Sequence, residues 1–514
     1  MVRNENMSSN DPIERFAQAV ADELGADAVA LSDDVLTRYG EHTLPSADVR
    51  PGAVVYPDST LAVQTIVKLA NQFRVQLYPI SNGQNIGLGT KSPILPGQVV
   101  VDLGRRMKKI IEIDETMGYC VLEPGVSFQT MHDELIRRGS KLMISPTAGP
   151  SQGSILANAL DKGGGSGAYA DHFGMSCGME IVLGNGDIIR TGDGSLQGSE
   201  HPNWHVSKYS FGPFLDGLFS QSNFGIVTRM GMWLMQRPPH IEPFFFTFPE
   251  DDDLGEVIDL IRPLKQTNFV PTMIRATNDL YLLASVATHP DYALGGGKVT
   301  LGDAERRKLR ESFGLGAWTV SGALYGGSKA AVAPQLERVV RHFTASGKGR
   351  QISLEDAEDL KPLHIAINSN TGVPTDSELR MLNWRPGGGA IWLSAGTPVL
   401  GSTANGFQHE ARKICTAHGL EYLLSNVCGA RFARSVHAII YNRSDADESA
   451  RADACYRAMS ELFASRGVFV GRAPTMYQDF HQAQRMPEFV NACSAIKHAL
   501  DPNGVIAPGK YGIH

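Results

Sequence analysis

The sequence predicts an α+β protein built from two units, and three observations predict it. A glycine-rich loop stands between two apolar strands instead of opening a helix. Near residue 240 the chain passes from loops of small residues to strands alternating with amphipathic helices, and near residue 470 it returns to short loops and a glycine-rich tail. For residues 241–470, helices covering one face of a mixed or antiparallel sheet is the economical arrangement.

The loop is Tyr78-Pro-Ile-Ser-Asn-Gly-Gln-Asn-Ile-Gly-Leu-Gly-Thr90. It follows the apolar run Val75 to Ile80, which reads as a strand. Gly83, Gly87 and Gly89 supply positive φ and let backbone N–H groups close on an anion without side chains in the way. Taken alone, a glycine-rich surface turn is the alternative. A Rossmann site needs a helix to start at the glycines. Here Pro93 and Pro96 would break any helix in its first turns, and Gln98 to Asp102 reads as another strand. Strand, glycine loop, strand is neither a Rossmann unit nor a Walker loop.

A chain of 514 residues predicts two or three domains. With 42% hydrophobic and 20% charged residues it has material for a full core. The net charge of −7 argues against nucleic acid and anionic membrane as partners. Met1 to Asn10 is polar with no apolar core of a secretory signal, and no apolar run reaches the roughly 18 residues of a membrane span. Cys120, Cys177, Cys415, Cys428, Cys455 and Cys493 show no metal or redox spacing. Reduced thiols in a cytoplasmic protein are the expectation, with no disulfide framework and no metal.

Along the first unit, Asp58 is placed to cap a helix carrying Leu61, Thr65, Leu69 and Phe73 on one face. A strand from Tyr119 to Pro124 leads into a helix near Phe128 to Arg138. Ser145 to Asn158, continuing to Gly167, is too rich in small residues for core and too long for a turn. Within it, Ile155 to Leu160 predicts one short helix whose N-terminus faces the loop's ligand. Met179 to Arg190 predicts a hairpin turning at Asn185-Gly186, and Asn223 to Met235 another strand. Gln236-Arg-Pro-Pro-His240 reads as a boundary. Beyond it, strands are predicted at 244–248, 317–324, 390–394, 422–427 and 436–441, and helices at 255–264, 303–313, 329–343, 409–418 and 447–465. The tail closes a helix at Asp501-Pro502 and then carries Lys510 in a glycine-rich loop expected to dock.

Pro79–Gly89, Ser145–Asn158, Cys177–Thr191 and Asp501–Ile513, with Leu382-Asn-Trp-Arg-Pro-Gly-Gly-Gly389 as a fifth stretch, resemble the FAD-linked oxidase superfamily. Within it they are most similar to the vanillyl-alcohol oxidase and p-cresol methylhydroxylase flavoprotein branch. The resemblance implies a two-domain, p-cresol-methylhydroxylase-type FAD-binding fold, with residues 1–240 and 471–514 holding FAD and residues 241–470 forming a substrate cap. It assigns to the cofactor Ile80, Ser81, Asn82, Gly83, Gln84, Asn85, Gly87, Pro146, Thr147, Ser151, Gly153, Ser154, Asn158, Ser176, Cys177, Gly178, Gly225, Ile226, Arg472 and Lys510.

In that branch a para-substituted phenol binds as phenolate, and its α-carbon gives hydride to flavin N5 by way of a quinone methide. Groups that stabilise the phenolate and a carboxylate near the α-carbon are required. The resemblance gives these catalytic roles to Arg472 and Glu378. A surface arginine after Val468–Val470, and an exposed loop acid beside Asp376, are the plainer readings of the two residues.

The chain also departs from the branch. Leu382 and Ala390 stand where relatives carry flavin-linking tyrosine and histidine, so FAD is expected to be non-covalent and a weaker oxidant. Gly471 replaces a phenolate-binding tyrosine and Gly149 lies near a missing aspartate, which leaves room for a bulkier phenol. Tyr169, Tyr477 and Tyr511 are candidates for the lost hydroxyl. Asp171-His172 and Cys177 lack the ligand count for a metal. A 2-hydroxy-acid dehydrogenase of the same superfamily, which would favour additional arginines or a histidine pair, and a non-catalytic flavin- or aromatic-binding relative are the alternatives. The expected partners are a small aromatic substrate, O2 or a cytochrome c-like electron acceptor, and a second copy of the chain in a homodimer or larger assembly.

Overall fold

The computed structural model describes residues 11–198, 201–290 and 300–514. The polar stretch Met1 to Asn10 lies outside the described residues. Four strands form the first sheet: β1 (Val29–Ala30), β2 (Ala53–Val55), β3 (Leu77–Ile80) and β4 (Val99–Asp102), in the order β1-β2-β4-β3. β2, β4 and β3 run parallel, and all of β4 is buried. The helix Thr60–Phe73 joins β2 to β3 and buries Val63, Ile66, Val67 and Ala70 on this sheet. Its cap is Ser59, whose side chain accepts from the Ala62 N–H, and not Asp58. The buried face also differs from the expected one. Leu61 is 66% exposed, because positions four apart drift around the helix while the buried stripe follows the 3–4 spacing.

A second, antiparallel sheet contains β5 (Ile110–Asp114), β6 (Tyr119–Leu122), β7 (Ser176–Leu183), β8 (Ile188–Arg190) and β9 (Gly225–Trp233), in the order β5-β6-β9-β7-β8. The helices Phe128–Arg137 and Ile155–Leu160 form as expected, each capped by a serine, Ser127 and Ser154. The tail returns here. Leu77 N–H donates to Val505 O and Ala507 N–H to Leu77 O, at 2.7 Å each. Buried Lys497 donates to Asn223 O (2.8 Å), Ile506 O (2.6 Å) and Asp501 Oδ2 (2.6 Å).

The third sheet has eight strands: β10 (His240–Phe248), β11 (Ile274–Asn278), β12 (Trp318–Gly326), β13 (Arg350–Ile352), β14 (Gly389–Pro398), β15 (Leu423–Cys428), β16 (Phe432–Tyr441) and β17 (Val470–Arg472). Their order is β13-β10-β12-β11-β15-β16-β14-β17, antiparallel throughout. The expected boundary at 470/471 falls inside β17, so Arg472 is a residue of this sheet. Residues such as Phe244, Phe246, Ile274, Leu393, Leu424 and Ile439 alternate onto one face, where the helices Leu254–Gln266, Lys329–Thr344, Gly401–Ala417 and Ala446–Ser465 cover them. Each buried phenylalanine contributes roughly 2 kcal/mol. Among the described residues no helix is long and apolar enough to cross a membrane, and the six cysteines are unpaired.

Candidate active site

The uncovered face of the eight-stranded sheet roofs a cavity of about 500 Å³. Strand register decides what faces it. Arg275 pairs with Val427, Val427 with Arg434, and Arg434 with Gly396, so these four form one row across β11, β15, β16 and β14. The neighbouring row runs Thr277, Ser425, Val436, Ser394 and Arg472, ending on β17. Trp392, two residues before Ser394 on β14, also lines the cavity.

The opposite wall is the glycine loop together with segments 147–165, 219–227 and 506–511. Gly83 (φ +62°), Gly87 (+75°) and Gly89 (+130°) take backbone conformations that L side chains rarely adopt. Among the described residues the N–H groups of residues 82–86 donate to no protein acceptor, a ready cradle for an anion. Gly87 instead ties the loop to Thr43 and to the sheet opposite. Its N–H donates to Thr43 Oγ1 (2.9 Å), and a Cβ there would lie 2.3 Å from the Trp392 ring. Of the seven non-glycine residues with left-handed backbone among the described residues, five line this cavity: Thr90, Lys162, Gln221, Ala507 and Tyr511. Strain concentrated this way marks a site that the surrounding structure over-determines.

Two charged clusters meet the cavity. Glu378, on the 3-10 turn Ser377–Asn383, accepts from the Tyr281 hydroxyl at 2.8 Å and lies 3.8 Å from Arg275 Nη1. Burial first, and then Glu378, hold the Tyr281 hydroxyl well above its ordinary pKa, so it stays a donor. Arg472 is bound through Nε to Asp161 Oδ2 and through Nη2 to Asn85 Oδ1 (2.9 Å). Tyr511 donates to the other Asp161 oxygen at 3.0 Å, and burial together with Asp161 raises its hydroxyl far up. Tyr511 is thus the one of the three candidate tyrosines that lines the cavity. Tyr477 stacks on Tyr456 in the core at 3.9 Å, and Tyr169 is 36% exposed elsewhere.

Of the residues expected at the cofactor, Ile80, Ser81, Asn82, Gly83, Gln84, Asn85, Thr147, Gly153, Ser154, Asn158, Gly225, Ile226, Arg472 and Lys510 line the cavity, as does Glu378. Gly87, Pro146, Ser151, Ser176, Cys177 and Gly178 do not. Ser151 instead gives its N–H and hydroxyl to Asp376 (2.7 and 2.8 Å), two residues before Glu378, and so anchors that turn. Cys177 is fully buried beside Trp204 O, and burial pushes its thiol up to about 12. His172 faces Asn158 Oδ1 (2.6 Å) and Ser145 O (2.7 Å), fixing the loop that carries Asn158. Tyr281, Arg275, Arg434, Asp161 and Trp392 also line the cavity and are not among the residues expected there from the sequence. A charged residue within a strand, as at Arg434 in Phe432-Ala-Arg-Ser-Val436, is the signal the sequence offers.

Residues 51–192 match the FAD binding domain family, and residues 248–511 match the C-terminal domain of FAD linked oxidases. The chain is 35% identical over 493 residues to the 4-cresol dehydrogenase [hydroxylating] flavoprotein subunit of Pseudomonas putida, an alignment covering 95% of this chain and 94% of that one. It belongs to the FAD-linked oxidase superfamily, in the p-cresol methylhydroxylase branch. This oxidoreductase is also 31% identical to 1'-carboxy-chondrochloren decarboxylase of Chondromyces crocatus, over 98% of both chains. Its fold matches p-cresol methylhydroxylase with substrate bound (TM-score 0.94, 34% identity, 98% of this chain and 97% of that one). It also matches 4-ethylphenol oxidase from Gulosibacter chungangensis (TM-score 0.94, 29% identity, 98% of both chains). The residues present fit FAD: free loop donors and Lys510 suit a diphosphate, and the cavity joins them to Glu378 and Arg472. The protein is an FAD-dependent oxidoreductase.

Proposed function

We propose that this oxidoreductase oxidises the α-carbon of a para-substituted phenol, of the 4-alkylphenol or 4-hydroxybenzyl alcohol kind, by way of a quinone methide. The observation that carries the reading is that Glu378 and Arg472 open into the same cavity as the glycine loop. Bound FAD supplies a hydride acceptor at N5. Arg472, steadied by Asp161 and Asn85, is placed to favour the phenolate over the phenol. Glu378, held by Tyr281, is the base that takes a proton from water attacking the α-carbon, or from the substrate side chain. Segments 80–85, 147–158, 225–226 and Lys510 hold the cofactor, in a domain formed by residues 1–240 and 471–514.

The flavin is held without a covalent bond in this reading. Leu382 packs against the buried cluster that contains Trp384 and Ala390, and Ala390 has its N–H on Thr43 O. Among the described residues no histidine or cysteine lines the cavity; of its three tyrosines, Tyr281 and Tyr511 are hydrogen-bonded to carboxylates, and the Tyr78 ring lies against Lys510 Nζ at 4.6 Å.

A second reading, a 2-hydroxy-acid dehydrogenase, gains from one observation. The sequence shows no arginine cluster, yet sheet register brings Arg275 and Arg434 to the same cavity as Arg472.

The test is anaerobic titration of the purified holoenzyme with 4-ethylphenol, p-cresol, vanillyl alcohol, eugenol, D-lactate and glycolate, following flavin bleaching. Bleaching by a phenol is expected, with the flavin in the supernatant after acid precipitation. Bleaching by D-lactate or glycolate alone would move the enzyme to the second reading. Mixing the reduced enzyme with air or with a c-type cytochrome then identifies the acceptor.

A further inference from the structure

Three guanidinium groups project from the cavity face of the eight-stranded sheet, and their partners differ. Arg472 has Asp161, and Arg275 has Glu378 at 3.8 Å. Arg434 has no carboxylate within ion-pair distance among the described residues; its one acceptor is Lys162 O at 3.2 Å. A guanidinium offers five N–H donors, so most of this fork is unused. Arg275 adds another: its Nε is buried without a hydrogen-bond partner. Arg275 and Arg434 occupy one row on either side of Val427, roughly 10 Å apart at Cα from the strand spacing, within reach of a single small ligand.

The surroundings keep Arg434 in this place. A Cβ on Gly164 would lie 2.5 Å from Arg434 Nη1, so glycine there allows the guanidinium to lie against the loop. Burial, and then the charge of Arg472, work against its protonated form, while Asp171 favours it from beyond contact. Arg434 is half-buried at the cavity wall, and a guanidinium there with no carboxylate against it keeps its fork open to a ligand's. The cavity lining as a whole carries five cationic side chains, Lys162, Arg275, Arg434, Arg472 and Lys510, against two carboxylates, Asp161 and Glu378. The diphosphate cradle and Lys510 lie on the loop wall, leaving the sheet-face excess for something else.

We propose that the substrate carries a carboxylate, received by Arg434 with Arg275 beside it, at a subsite separate from Arg472. A planar, bidentate acceptor is what a guanidinium fork fits best. The inference deepens the phenol reading and rests on it only for the aromatic part of the ligand.

The test compares 4-hydroxyphenylacetate with 4-hydroxyphenylacetamide, and 3-(4-hydroxyphenyl)propanoate with its primary amide, as ligands of the holoenzyme. Binding is read from perturbation of the flavin spectrum and needs no turnover. The acid of at least one pair is expected to bind ~10-fold or more tightly than its amide. That preference should fall to near unity in Arg434→Leu and persist in part in Arg434→Lys, with flavin content confirming the fold of each variant. Equal affinity of acid and amide in both pairs, or a preference that survives Arg434→Leu, would overturn the subsite. Should Arg434→Leu fail to fold, the wild-type ratio and Arg434→Lys decide. Acid preference without bleaching by any phenol would leave the subsite standing and remove the phenol oxidation.

Discussion

The Tyr281 hydroxyl donates to the Glu378 carboxylate at 2.8 Å across 97 positions of sequence. Tyr281 sits in the first turn of the helix Asp279–Ala284, whose cap Asn278 accepts its N–H. The donor is therefore fixed by backbone before it meets the carboxylate. Tyr281→Phe keeps the ring and removes one hydrogen bond to an anion, worth about 1.5–3 kcal/mol. Flavin reduction by a phenol, followed by anaerobic stopped flow, should slow by at least about tenfold, with the melting temperature little changed. A rate within about twofold of wild type would detach Tyr281 from the chemistry.

Asp161 neutralises Arg472 and accepts from Tyr511 at once. Asp161→Asn keeps an acceptor for Tyr511 and deletes the charge. Both partners are partly exposed, so the expected loss is about 1–2 kcal/mol rather than that of a fully buried pair. Urea denaturation of the holoenzyme measures it, and weaker retention of flavin on dilution should accompany it.

Gly471 has an ordinary backbone, and a Cβ there would meet only Ser394 O at 3.6 Å. Gly471→Tyr should therefore fold and narrow the cavity. Steady-state kinetics should show a lower KM for 4-ethylphenol and a loss of kcat/KM for phenolic dimers. The same loss for both substrates would place the added ring against the flavin site instead.

Burial lowers the imidazoles of His172, His437 and His481 to about 4 from 6.5. The unfolded chain takes up these protons below pH 6.5 while the folded chain refuses them until about 4. Stability should thus fall as pH drops from 6.5 toward 4 and be flat, for these groups, above 7. Thermal melts across pH 4–8 test this. His172→Gln should flatten part of the slope.

What was legible in the sequence was what lies close together in it. Gly83, Gly87 and Gly89 announce their loop because the residue type carries the conformation. Asn185-Gly186 announces its hairpin for the same reason, and β7 and β8 flank it as expected. Arg275, Arg434 and Tyr281 carry no local mark of their meeting. Arg275 and Arg434 converge only because β11, β15 and β16 pair in one register, and a slip of one residue would turn either side chain to the helix-covered face, while Tyr281 joins them from the helix that follows β11. The phase of the helix Thr60–Phe73 failed for a related reason. Apolar residues occur on more than one side, and packing on β2 and β4, rather than pattern, selects the buried stripe.

The walls of the cavity come from all parts of the chain: Asn85 and Asp161 from the first half hold Arg472 from the far edge of the third sheet. A cofactor lodged between them has affinity for the assembled arrangement and none for the separated pieces. If it is held without a covalent bond, its binding energy enters the folding equilibrium through mass action. A cell short of riboflavin would then contain not merely an idle enzyme but a scarcer one, its abundance tracking the vitamin supply.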